Sequence, residues 1–218
     1  MNEAFINING GGIQTLELFL MVTVISLLPS IVIMMTSFTR IIIVMSFLRN
    51  ALGMQQTPPN TVLVGISLFL TLFIMSPVLS QINENAYIPY KNEQISASEA
   101  IEKASVPMKT FMLKQTEVDT LDMFMEFSGE EITENYEDLP LTVIIPSFIT
   151  SELKRAFIIG FLLFLPFLLI DIVVSSTLMS MGMIMLPPAM ISLPFKILLF
   201  ITVNGWQLLF STLIKGFN

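Results

Sequence analysis

The sequence predicts an all-α membrane protein, with about four kinked hydrophobic helices in hairpins and an acidic, partly helical extracytoplasmic segment between the two pairs. Three observations carry this. Apolar residues make up 54% of the chain and charged ones only 12%, against about 25% charged in ordinary soluble domains, and the mean hydropathy is +0.79. The charges are also segregated: residues 84–138 hold 13 of the 17 acids and 4 of the 10 bases, a net of −9, while the rest of the chain nets +2. Stretches nearly free of charge flank that segment, each the length of a bilayer crossing.

The N-terminal residues MNEAFINING are acidic rather than basic. The apolar run behind them is too long for a signal h-region, so no cleavable signal is expected. Span one covers about 17–39, a helical length of roughly 33 Å against a hydrocarbon core of about 30 Å. Span two covers about 61–81, which makes residues 1–83 an N-terminal hairpin. Arg40 and Arg49 flank the connection between them, and the positive-inside rule reads them as cytoplasmic-side anchors. Both termini and the acidic segment then lie outside. Lys154 and Arg155, at the outer end of the third span, pull the other way.

In the acidic segment, 84–138, Ala100, Ile101, Ala104, Met108, Phe111 and Met112 recur at helical spacing behind the capping residues Ser96 and Ser98. Leu121, Phe124 and Met125 repeat the pattern before Gly129. Short amphipathic helices, interrupted near Pro107, are expected. A solvated linker competes with that reading, because Glu130, Glu131, Glu134, Glu137 and Asp138 form a run that needs no fold.

Residues 139–218 form a C-terminal hairpin with spans at about 156–176 and 191–214. Every span carries a proline (Pro29, Pro77, Pro166, Pro194), which frees backbone groups that lipid cannot satisfy and neighbouring helices must. Such spans favour an assembly. The two C-terminal spans are joined by SSTLMSMGMIMLPPAM, which holds five of the 16 methionines beside Gly182 and Pro187-Pro188. It reads as an apolar loop, and its methionines are either core filler or a deliberately soft surface.

Chemistry is restricted. With no His and no Cys, imidazole acid–base catalysis, Ser-His and Cys-His nucleophiles and soft metal sites are absent, and no enzyme is expected. Gly10-Gly11-Gly12 lacks the Lys-Ser/Thr of a phosphate-binding loop. No cofactor and no nucleic-acid partner are expected. Asp171 and Lys196 are charges inside spans, readable as a buried structural pair or as the ion path of a small-solute or proton-coupled transporter.

Two blocks carry a resemblance. Residues 40–77, RIIIVMSFLRNALGMQQTPPNTVLVGISLFLTLFIMSP, and residues 144–210, with the runs IDIVVSS, MGMIMLPP, LPFK and NGWQLL, resemble the FliP/SctR family of flagellar and virulence-type protein export gates. The resemblance implies a bacterial cytoplasmic-membrane protein of the flagellar basal body, present as about five copies around FliQ-like and FliR-like subunits. Unfolded flagellar proteins pass through the centre, and partners of FlhA/FlhB type supply the coupling to energy. It implies obliquely stacked helices. It also implies that Met181, Met183, Ile184 and Met185 form a pore gasket, at a place where the family commonly has three consecutive methionines.

Overall fold

A computed structural model describes residues 5–8, 11–129, 136–183 and 185–217. A short antiparallel pair, β1 (Phe5–Ile8) and β2 (Gly11–Gln14), leads into α1 (Thr15–Met34). Among the described residues, the elements that follow are helical: α2 (Phe38–Ala51), α3 (Asn60–Ile82) running through a π-helical turn into α4 (Ile88–Lys91), α5 (Ala97–Gln115), α6 (Val118–Ser128), a 3₁₀ turn at Tyr136–Asp138, α7 (Leu141–Ser180), α8 (Pro188–Thr202) and α9 (Gly205–Lys215).

The stretch expected as one span over 17–39 divides at Met35–Ser37. Thr36 donates its hydroxyl back to the Ile33 carbonyl at 2.8 Å and accepts the Phe38 N–H, so this side chain satisfies backbone groups that a continuous helix would pair itself. The supposed connection between spans one and two becomes α2, the central helix of the fold. Ile41, Val44, Met45, Leu48 and Ala51 make a fully buried stripe along it, packed chiefly on α7.

The long helices are built inside out relative to a soluble protein. On α3 the buried positions are Leu63, Ser67, Thr71 and Met75, while Phe69 and Phe73 face outward. Ser67 and Thr71 return their hydroxyls to the carbonyls of Leu63 and Ser67, both at 2.7 Å, which leaves no orphan donor at the contact. On α7 the buried positions include Ser147, Ser151, Ala156 and Gly160, with Phe157, Phe161 and Leu169 outside. Small residues let helices approach where lipid removes the hydrophobic incentive to associate. Gly160 shows how close that approach is, since a Cβ there would meet the Phe47 ring of α2 at 2.5 Å.

Among the described residues, two helical runs are long and apolar enough to cross a membrane, Asn60–Lys91 and Leu141–Ser180. A third exists if α8 and α9 count together despite the 62° bend between them. The apolar part of α1, Leu18–Ile31, is shorter. The span expected over 191–214 is therefore broken: Asn204 takes a left-handed conformation (φ 52°) ahead of Gly205, an Asn-Gly pair that marks a turn even inside an apolar run.

The acidic segment folds onto the long helices. Ser96 and Glu99 make a reciprocal capping box at the start of α5, and Gly129 closes α6 in the left-handed region. Pro107 does not interrupt α5; it removes one hydrogen bond, which the buried stripe Pro107, Phe111 and Met112 offsets by packing. Phe111, Met112, Leu121 and Met125 join the same core as α2 and α7. Of the acidic run, Glu130, Glu131 and Glu134 lie outside the described residues.

Candidate functional site

The candidate site is the tip and stem of the α7–α8 hairpin. At the tip, α7 ends in paired capping bonds, from the Met183 N–H to the Leu178 carbonyl at 2.9 Å and from the Gly182 N–H to the Met179 carbonyl at 3.0 Å. That geometry needs Gly182 at φ 75°, a conformation costly to any residue with a Cβ. The chain re-enters α8 through Pro187 as N-cap and Pro188 as the first helical residue, where the missing N–H costs nothing. Both punctuation marks in the sequence thus have a local cause.

The methionines between them point away from the subunit. Met185 is 99% exposed, Met181 64% and Met183 43%, and Met179 and Met190 are exposed as well. Core filler is thereby excluded within the subunit for all five. Ile184 lies outside the described residues.

One level down the stem, the structure brings Asp171 and Lys196 together. Lys196 Nζ donates to Asp171 Oδ2 at 2.6 Å and to the Ala51 carbonyl at 3.1 Å, and Ser192 Oγ donates to Asp171 Oδ1 at 2.6 Å. Lys196 is 4% exposed, so this ammonium is held by a carboxylate and by the carbonyl end of α2, where the helix dipole favours a cation. Ser192 went unread in the sequence, although its place four residues before Lys196 on one helix face was a usable signal.

Arg40 requires a correction of place. Rather than flanking an exposed loop at a membrane edge, it is 2% exposed in the core, ion-paired with the equally buried Glu152 of α7. Its Nε donates to Glu152 Oε2 at 2.8 Å, Nη2 to Glu152 Oε1 and to Gln115 Oε1, and Nη1 to the Gly216 carbonyl at 3.0 Å. The guanidinium lies 3.7 Å from the Phe217 ring centroid. Gln115 in turn donates to the Phe217 carbonyl and accepts from Arg155. Sequence reading passed over Glu152 because Lys154 and Arg155 next to it made the stretch look like an exposed boundary. Arg49, the other expected anchor, is partly buried and donates to Asn60 Oδ1 at 2.6 Å.

An ion pair therefore sits at each end of α2: Arg40 with Glu152, fully buried, and buried Lys196, which also donates to the Ala51 carbonyl, with the partly exposed Asp171. Among the described residues no His, Cys, Asp or Glu cluster could hold a metal ion. What the site offers is a rigid stem carrying a soft apolar tip.

Comparison with known proteins agrees with this architecture. The family model described as the FliP family matches residues 21–213. The chain is 52% identical to the flagellar biosynthetic protein FliP of Bacillus subtilis (strain 168), over 100% of both chains. It is 51% identical to that of Pectobacterium carotovorum subsp. carotovorum, over 96% of this chain and 82% of the relative. Against that of Aquifex aeolicus (strain VF5) the identity is 47%, over 96% and 88%. With a family model covering most of its length and relatives near half identity end to end, the chain belongs to the FliP family.

Proposed function

We propose that this chain is a pore-forming subunit of the flagellar protein export gate, multi-pass in the bacterial cytoplasmic membrane at the flagellar basal body. About five copies assemble with FliQ-like and FliR-like subunits and work with partners of FlhA/FlhB type. Unfolded flagellar proteins pass through the ring, and the loop of Met181, Met183, Ile184 and Met185 seals it. One observation carries this reading: methionines are exposed at the tip of a hairpin whose stem is fixed by an ion pair between buried Lys196 and partly exposed Asp171.

The physical logic is that a pore wide enough for a polypeptide leaks ions. A ring of apolar side chains excludes water by dewetting, and a flexible thioether reshapes around whatever sequence passes. A stiff stem keeps each copy of the tip at one height. Asp171 and Lys196 serve assembly by holding that stem. The transporter alternative rests on no specific observation, since Lys196 is enclosed and has two acceptors.

Changing Met183 and Met185 together to Ala tests the reading. Each loses three heavy atoms from a surface side chain, so the complex should keep its size and yield while the membrane becomes permeable to ions or small solutes during export. Complex yield and permeability are measured in the same strains. Low yield with a tight membrane would overturn the seal and make these methionines assembly contacts.

A further inference from the structure

Arg49 differs from the other cations at the ends of α2. Arg40 and Lys196 each hold a carboxylate, whereas Arg49 has none among the described residues. Its Nη1 donates to two neutral acceptors, Asn60 Oδ1 at 2.6 Å and the Pro58 carbonyl at 3.4 Å, and its Nε is buried without a partner. Among the described residues no carboxylate pairs with it, and no Asp or Glu occurs in the sequence between Glu17 and Glu84 or after Asp171. Asp171 is taken by Lys196. A charged donor with an enclosed Nε and only neutral acceptors favours a complementary anion from outside the chain.

The same guanidinium lines a cavity of about 220 Å³ between α2, the turn after it and the α8–α9 bend, with Leu48, Leu52, Phe200 and Trp206 among its walls. Apart from Arg49 the cavity is almost wholly apolar. It adjoins the first turn of α3, where one of the two membrane-crossing runs begins. Exposed Ile201 and Leu208 flank Trp206 on the surface. A tryptophan beside a basic residue at the end of a span is the composition of the headgroup level.

We infer that this cavity is a site for an anionic phospholipid. The headgroup phosphate accepts from Arg49 Nε, and an acyl chain enters the apolar cavity. Basic pockets between membrane helices suit such lipids, and a single phosphate supplies the charge that the chain lacks. The inference depends on a membrane location and not on the export reading.

The chain contains its own reporter, because Trp206 is its only tryptophan and lines the cavity. The full-length chain is reconstituted in phosphatidylcholine vesicles containing a minor fraction of acyl-brominated phosphatidylglycerol or acyl-brominated phosphatidylcholine, and quenching of Trp206 fluorescence is recorded. Brominated phosphatidylglycerol should quench at about fivefold lower mole fraction, the preference conferred by one basic residue at a membrane surface. Arg49→Gln should abolish the preference and Arg49→Lys should retain most of it. Raising the salt concentration should shrink it in the unmutated protein, a readout independent of whether the variants fold. Equal quenching by the two lipids in the unmutated protein would overturn the inference and leave a partner protein's carboxylate as the anion. A preference unchanged by Arg49→Gln would overturn it too.

Discussion

At the residue scale, among the described residues Arg40 and Lys196 each meet a carboxylate, whereas Arg49 meets none. Glu152→Gln leaves the Arg40 guanidinium buried without its counter-ion, and the expected cost is about 3–5 kcal/mol. An apolar double replacement, Arg40→Met with Glu152→Leu, should recover most of that loss, because removing both charges also removes their desolvation penalty. Thermal unfolding of the two variants in detergent checks this; a double variant no more stable than the single one would mean that the Gln115 and C-terminal contacts of Arg40 matter more than its charge. Asp171→Asn strands Lys196 in the same way. The expected loss is smaller, about 2–3 kcal/mol, because Asp171 keeps about a third of its side chain exposed and the amide oxygen still accepts. Reduced amounts of intact complex are the expected outcome, and a fully assembled, secreting variant would remove the proposed assembly role.

At the element scale, α2 depends on close approach and α5 on its cap. Gly160→Ala drives a methyl into the Phe47 ring, and forcing that ring aside should cost about 1–3 kcal/mol, measurable as a lowered midpoint of unfolding. Gly182→Ala meets no neighbour, so its cost of about 1 kcal/mol is backbone strain alone, and it should alter the loop without loosening the core. The Ser96 N–H and hydroxyl beside Glu99 hold that carboxyl below its usual range. A folded-state value lower than the unfolded one gives a stabilisation that is complete above the ordinary carboxylate range and disappears as pH falls through the lowered value. Protection factors of the first-turn amides of α5 should therefore hold steady from neutral pH down to that range and fall below it. Glu99→Gln should abolish the fall, whereas Ser96→Ala, which keeps the backbone N–H that donates to Glu99, should only shrink it.

For the whole molecule, the fold pairs a membrane-facing exterior with a core that carries its charges inward. The chain has no native Cys, so cysteines at Asn50 and Ser128, both exposed, report sidedness through an impermeant maleimide in intact cells. The proposed topology expects labelling at Ser128 only; labelling at Asn50 would reverse it. In mild detergent the assembly should run at several times 24.4 kDa, whereas a monomer or dimer would count against the ring.

Composition and long unbroken apolar runs by themselves determined the helical membrane class, because a closed barrel, the other structure that satisfies a backbone out of water, alternates apolar and polar residues instead. Local punctuation was equally legible: Ser96 with Glu99, Gly129, Gly182 and Pro187-Pro188 act through bonds within a few residues of themselves. Whether the methionines are exposed was not legible there, since an apolar loop reads equally as core filler or as a soft surface, and the fold decided it. What only the tertiary structure decided is how distant charges meet. Arg40 and Glu152 stand 112 residues apart, and a one-dimensional reading assigns each to an exposed boundary, because an isolated charge in an apolar run has nowhere else to go. Folding α2 against α7 brings them into one low-dielectric contact in which each is the other's solvent. The same packing turned an expected loop into the central helix. The last span broke at Asn204 for a local reason instead, an Asn-Gly turn preference that prevailed over an apolar run that hydropathy alone reads as continuous.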